Sequence, residues 1–284
     1  MGRKGQIATS CRSTLQSARC PTRHELAVLP YPFCTYPLPA HVLLFDANRR
    51  LKHESIHSSI WQTATPPETF YRIDERWHVA GPELTFLQLA NRLDLLELIA
   101  IGYEYCGTYA IHPLSGKVTY DLPPATSTKR IERFLTQWPK VRGTEKAKKA
   151  LACISENSAS PMETHLHMRF SLTGHRGGYN LPKSLLNYEV PLNDIARRIY
   201  KRGSCRCDIF FPQINLDVEY HGSDHKAQLA SDSARNAALQ SMGINTLVIT
   251  KRQYDDYMAM SGIVRSIARM HRVYLYEGRT GYTK

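Results

Sequence analysis

Between Cys205 and Arg235 the chain reads CRCDIFFPQINLDVEYHGSDHKAQLASDSAR, and this stretch limits the fold more than any other. An apolar run from Cys207 to Phe211 is broken only by Asp208. Pro212-Gln213 interrupts it, and a second run, Ile214 to Tyr220, follows. Two short runs separated by turn residues predict a β-hairpin. In the second run Asp217, Glu219 and His221 alternate with Leu216, Val218 and Tyr220. Side chains alternate faces along a strand, so the polar three share one face. With Pro212-Gln213 as a two-residue loop, Asp208 is expected opposite Asp217 and diagonal to Glu219. Gly222 ends the strand, and Ser223, Asp224 and His225 follow at once.

Carboxylates gathered at a strand end suit Mg²⁺, which takes one or two carboxylates, several waters and substrate phosphate. Such an ion polarises a phosphodiester and lowers the pKa of bound water. The plainer alternative is a solvated sheet face, on which a charge at every second position is ordinary. For Asp217 alone the solvated face is the expectation. For Asp208, Glu219 and His221 together a functional site is expected.

The pattern D-(x10)-E-Y-H-G-S-D-H, followed by D-S-A-R-N-A-A-L, resembles the very-short-patch-repair-like endonuclease domain of the PD-(D/E)XK nuclease superfamily. The resemblance covers roughly residues 160 to 272. It implies an α/β fold with a restriction-endonuclease-like core, a mixed sheet flanked by helices. It also implies a Mg²⁺- or Mn²⁺-dependent endodeoxyribonuclease with DNA as partner. Asp208 and Glu219 would be the metal ligands, with His221 and His225 beside the scissile phosphate; Asp232 and Arg235 match the helix motif. His221 stands where the superfamily pattern has lysine. The family also has a glutamate in an S-P-x-E context, and Ser160-Pro161-Met162-Glu163 matches it. Glu163 therefore has two readings. It could close a capping box by reaching back to the Ser160 amide, or it could be the outer acid of the metal site.

Charge fits a polyanionic partner. The chain carries 37 Lys and Arg against 25 Asp and Glu, a formal net charge of +12, and nucleic acid is the commonest polyanion. Seven cysteines, none spaced C-x-x-C, argue against a disulfide framework or zinc site and fit a reducing cytosol. No apolar run reaches the roughly 18 residues of a membrane span. A bacterial cytoplasmic protein with no membrane partner is expected.

In chain order, residues 1–24 read as a basic tail and 25–120 as a smaller α+β domain. Residues 121–158 read as a basic helical linker and 159–284 as the nuclease-like domain. In the first half, strands are expected near His41–Phe45, Phe70–Ile73 and Trp77–Ala80. One helix is expected from Pro82 to about Gly102, since Phe86, Leu89, Leu93, Leu96 and Ile99 recur at helical spacing. This layout, ending in G-P-E-L-T-F-L-Q-L-A, looks like the N-terminal half that precedes the nuclease domain in some bacterial proteins. Lys146, Lys148 and Lys149 lie on the second of two short basic helices, either a solvated face or a phosphate grip. Arg202 and Arg206 bring positive charge just ahead of Asp208. Together with Arg235 they complete the expected nucleic-acid contacts. A non-cleaving, antitoxin-like DNA-binding regulator with the same fold is the second expectation.

Overall fold

In the computed structural model of the chain, the described residues are 19–27, 39–50, 53–61, 69–74, 77–222 and 229–279. They form a mixed α/β protein whose contacts group into two compact units, Met1–Gln88 with Ile111–Val118, and Leu89–Ala110 with Thr119–Lys284.

The first unit contains α1 (Arg23–Ala27), β1 (Ala40–Leu44), β2 (Ile56–Ile60), β3 (Phe70–Arg72) and β4 (His78–Ala80), and most of α2 (Pro82–Leu89). β1 and β2 pair in parallel, and β3 and β4 antiparallel. Cys20, Leu26, Leu44 and Ile56 form a buried cluster, with Val42 and Trp77 against it. The expected tail is therefore not tail throughout: Cys20 is buried, and Arg19 pairs with Glu25 at 2.6 Å. Residues 1–18 lie outside the described residues.

The single helix expected from Pro82 to Gly102 is two. α2 stops at Leu89, and α3 (Leu95–Cys106) restarts after Asp94. Asp94 accepts from the Glu97 amide at 2.8 Å, and the Glu97 carboxylate accepts from the Asp94 amide at 2.8 Å. This reciprocal box satisfies donors that a continuous helix would have no need to satisfy, so the apolar period runs across a break. β5 (Ala110–Ile111) and β6 (Val118–Thr119) form a short separate ladder.

The segment read as a linker is packed structure. α4 (Thr128–Gln137) buries Ile131, Phe134 and Leu135, and α5 (Thr144–Leu151) buries Ala147 and Ala150. α5 packs against α3 and α4.

Next come α6 (Pro161–Ser171), β7 (Leu185–Pro191), α7 (Asp194–Tyr200), β8 (Ser204–Phe211), β9 (Leu216–His221), α8 (Leu229–Ser241), β10 (Asn245–Thr250), α9 (Lys251–Asp255) and α10 (Tyr257–Arg279). The sheet order is β10-β9-β8-β7, with β10 parallel to β9 and the other neighbours antiparallel. Val190, Leu192, Ala196, Cys205, Cys207, Phe210, Ala238 and Leu239 form one core, joining α7 and α8 to the sheet. Phe211 meets Phe170 of α6 and His271 of α10, at ring distances of 6.0 and 5.6 Å, so helices pack on both sides. Cys205 and Cys207 are small buried strand residues, as expected.

The hairpin loop is four residues, Pro212 to Asn215, not two. Asn215 takes the left-handed conformation (φ 46°), and Phe211 pairs with Leu216. Among the described residues no helix is long and apolar enough to cross a membrane.

Asp94→Ala removes the cap of α3 and should cost about 1 kcal/mol. Thermal unfolding should show this as a melting temperature about 2–4 °C lower, with no change in far-ultraviolet dichroism at 25 °C.

Candidate active site

The loop length decides which acid meets which. The observed ladder pairs Phe210 with Asp217 and Ile209 with Val218. Continued by one residue it sets Asp208 against Glu219, where a two-residue loop would have set Asp208 against Asp217. The backbone ladder stops there. Asp208 lies beyond the last β8–β9 pair, and its carboxylate accepts a hydrogen bond from the Tyr220 N–H. The β7–β8 ladder skips the same level, between the pairs Leu186–Ile209 and Tyr188–Cys207. At the gap Asn187 of β7 is left-handed, with φ 49°. The sheet thus opens locally around Asp208.

Acids from three elements bear on one another at this opening. Glu163, in the first turn of α6, is buried. Its N-terminal role differs from the expected box. Ser160 accepts from the Glu163 amide at 3.1 Å, but the Glu163 carboxylate accepts from Ala159 N–H at 3.0 Å, not from Ser160. The same oxygen, Oε2, accepts from Asn187 Nδ2. Glu163 is therefore a helix cap and a member of the acidic group at once. Burial pushes the Asp208 carboxyl up to about 7, and the charges of Glu163 and Glu219 push the same way; Arg235 and the Tyr220 amide oppose them.

Asp217 does not lie on a solvated face. It is fully buried, at 0 % exposure, because β9 is an inner strand covered by α8. Arg235 of α8 answers it. Nη2 lies 3.1 Å from Asp217 Oδ2 and donates to the Arg206 carbonyl at 2.6 Å, while Nη1 pairs with Glu219 Oε1. Burial and the Glu219 charge raise the Asp217 carboxyl more than Arg235 lowers it. Burial opposes the Arg235 charge as well, but Glu219 and Asp217 together hold its pKa above the ordinary range. Arg235, expected to contact DNA, is instead an internal counter-ion. Its guanidinium is directed at carboxylates, and its side chain is only 12 % exposed.

His221 Nε2 lies 3.5 Å from Glu219 Oε2, so this histidine joins the group. His225 falls outside the described residues. Arg206 is exposed and reaches the opening, with Nε donating to Asn187 Oδ1 at 2.6 Å. Arg202 is exposed too, with its guanidinium 5.3 Å from the centre of the Tyr200 ring. On α5, Lys146 donates to the Leu93 carbonyl and so is tied to the protein, not presented to a ligand. Lys148 pairs with Glu145 at 3.2 Å, and Lys149 is exposed.

Carboxylate oxygens are hard donors of the kind that suits Mg²⁺. Among the described residues, however, no three His, Cys, Asp or Glu side chains group closely enough to hold a metal ion. The sequence reading missed Asn187 and the buried state of Asp217. Asn187 offered only a polar residue inside an apolar strand run. For Asp217 the signal was Arg235 on the following helix, an arginine well placed to answer a buried acid.

Arg235→Ala strands a buried Asp217 and should cost about 3 kcal/mol, read by urea unfolding. For Asp208 the sign follows from its raised pKa. Between the ordinary value of 3.8 and about 7 the folded chain keeps a proton that the unfolded chain has lost. In metal-free buffer this contribution to stability is complete below that window and lost as pH rises through it. Asp208→Asn should flatten the slope when unfolding is compared at pH 4, 6 and 8.

Compared with protein-family models, with curated proteins and with solved structures, the chain matches none.

Proposed function

We propose that the chain is a metal-assisted endonuclease of DNA, with the four-stranded sheet and its flanking helices serving as a PD-(D/E)XK-type core. The observation that carries this reading is the gathering of Glu163, Asp208 and Glu219 at the opening in the sheet, with the exposed Arg206 beside them. Such a gathering is costly for a fold to keep without use, since buried like charges disfavour one another.

Asp208 and Glu219 would hold a Mg²⁺ or Mn²⁺ ion. When bound, the ion supplies a Lewis acid that polarises the phosphodiester and activates water. The chain's own residues do the rest. Arg206 neutralises and orients the phosphate. His221, already beside Glu219, accepts the proton of the attacking water, a task suited to imidazole near neutral pH. His225 is a second candidate for that task by sequence. Glu163 orients water at the edge of the site. Arg235 balances the acids that the ion leaves uncompensated, which keeps Glu219 in place before the ion arrives.

A second reading has its own support. Arg235 already supplies a cation to Asp217 and Glu219, so the fold can stand without a metal. That favours a non-cleaving, antitoxin-like DNA-binding regulator on the same core.

Plasmid and duplex DNA incubated with the purified chain separate the two. The endonuclease nicks with Mg²⁺ or Mn²⁺ and is silent in EDTA. Asp208→Ala and Glu219→Gln should each abolish nicking, while metal-free DNA affinity holds or rises slightly because a negative charge has been removed near phosphate. Arg206→Gln should weaken binding to all sequences and reduce the salt slope by about one unit. Sequence-specific binding with no metal-dependent strand breaks in the unsubstituted chain would establish the regulator instead.

A further inference from the structure

We infer that Asn187 is the positioning residue of this acidic site, fixing the Glu163 carboxylate and the Arg206 guanidinium in one arrangement beside Asp208. The role rests on the endonuclease reading above, and three observations converge on it.

The first is conformational. Asn187 is left-handed (φ 49°) within β7, at the level where the β7–β8 ladder skips a pair. Asparagine tolerates that region better than most side chains, but inside a strand it breaks the ladder, and residues held so cluster at functional sites.

The second is the use of the whole carboxamide. Nδ2 donates to the Asn157 carbonyl at 2.7 Å and to Glu163 Oε2, while Oδ1 accepts from Arg206 Nε at 2.6 Å. Aspartate offers no donor, serine offers one, and glycine offers none. Among side chains that tolerate the left-handed region, asparagine alone supplies two N–H groups and a carbonyl oxygen.

The third is what those bonds connect. Glu163 Oε2 receives both Ala159 N–H and Asn187 Nδ2–H, so the carboxylate is turned by two donors from separate segments. Among the described residues Arg206 is held through Nε, and its side chain remains exposed. One amide therefore sets the spacing between an acid of the site and the cation that meets phosphate. It need not touch substrate itself. Partners that orient first-contact groups in this way commonly change activity by about 10–100-fold when removed.

The test uses Asn187→Gly, which keeps the backbone conformation and removes the carboxamide, and Asn187→Asp, which keeps the acceptor for Arg206 and removes the donors. In the full chain both should lower kcat for Mg²⁺-dependent nicking by about 10–100-fold. Metal-free DNA affinity should change less than about twofold, because Arg206 keeps its charge. Asn187→Asp should be no better than Asn187→Gly, since it sets a carboxylate against Glu163. In the background of Glu163→Gln, Asn187→Gly should cost little more, as expected of a residue acting through another. A wild-type kcat in either variant, or full additivity with Glu163→Gln, overturns the assignment. If the unsubstituted chain does not nick DNA, the endonuclease reading fails by itself. The Asn187–Glu163 link is then read from thermal unfolding of the two single variants and the double, where non-additive melting shifts support it and additive ones overturn it.

Discussion

Arg235 holds the second unit's chemistry together. Its guanidinium meets Asp217 and Glu219 on the inner strand β9 and the Arg206 carbonyl on β8, so one α8 side chain bridges two strands and two acids. Asp217 is fully buried, and an isolated carboxylate there would have to give up its charge. Arg235 offsets part of that cost, and the rest of the acidic group is built outward from the pair. Removing the cation leaves Asp217 and Glu219 as uncompensated neighbours on one face of β9.

Around that pair, the sheet gives up regularity at a single level. β7 and β8 lose a ladder step at Asn187, and Asp208 turns its carboxylate to the Tyr220 amide. Side-chain bonds of Asn187 and Arg235 cross the region where backbone pairing is lost. The opening provides room for oxygen-rich chemistry inside a sheet whose two faces are otherwise packed with apolar side chains and ring contacts.

Much of this was legible from residue patterns, and the misses have physical causes. Alternation along Leu216–His221 placed Asp217, Glu219 and His221 together, because strand parity does not depend on what the strand packs against. The partner of Asp208 was misjudged by two positions, since Ile214 and Asn215 belong to the turn. A two-residue change of loop length shifts every pairing by two and leaves the parity of both strands intact. The break between α2 and α3 was written in Asp94-Leu95-Leu96-Glu97, a cap signal outweighed in the reading by the apolar period that crosses it. Burial of Asp217 was signalled only by an arginine on the following helix. The commitment of Lys146 to the Leu93 carbonyl was not legible, because it depends on segments distant in sequence coming together.

Asn187 also bears on how the protein behaves in company. β7 is the outer strand of its sheet, and an outer strand exposes a row of backbone donors and acceptors on which another chain can grow. A left-handed residue in the middle of that row twists it out of line, the exposed Glu189 adds charge, and Pro191 lacks a donor. The residue that orders the acidic site thereby blunts the edge against self-association.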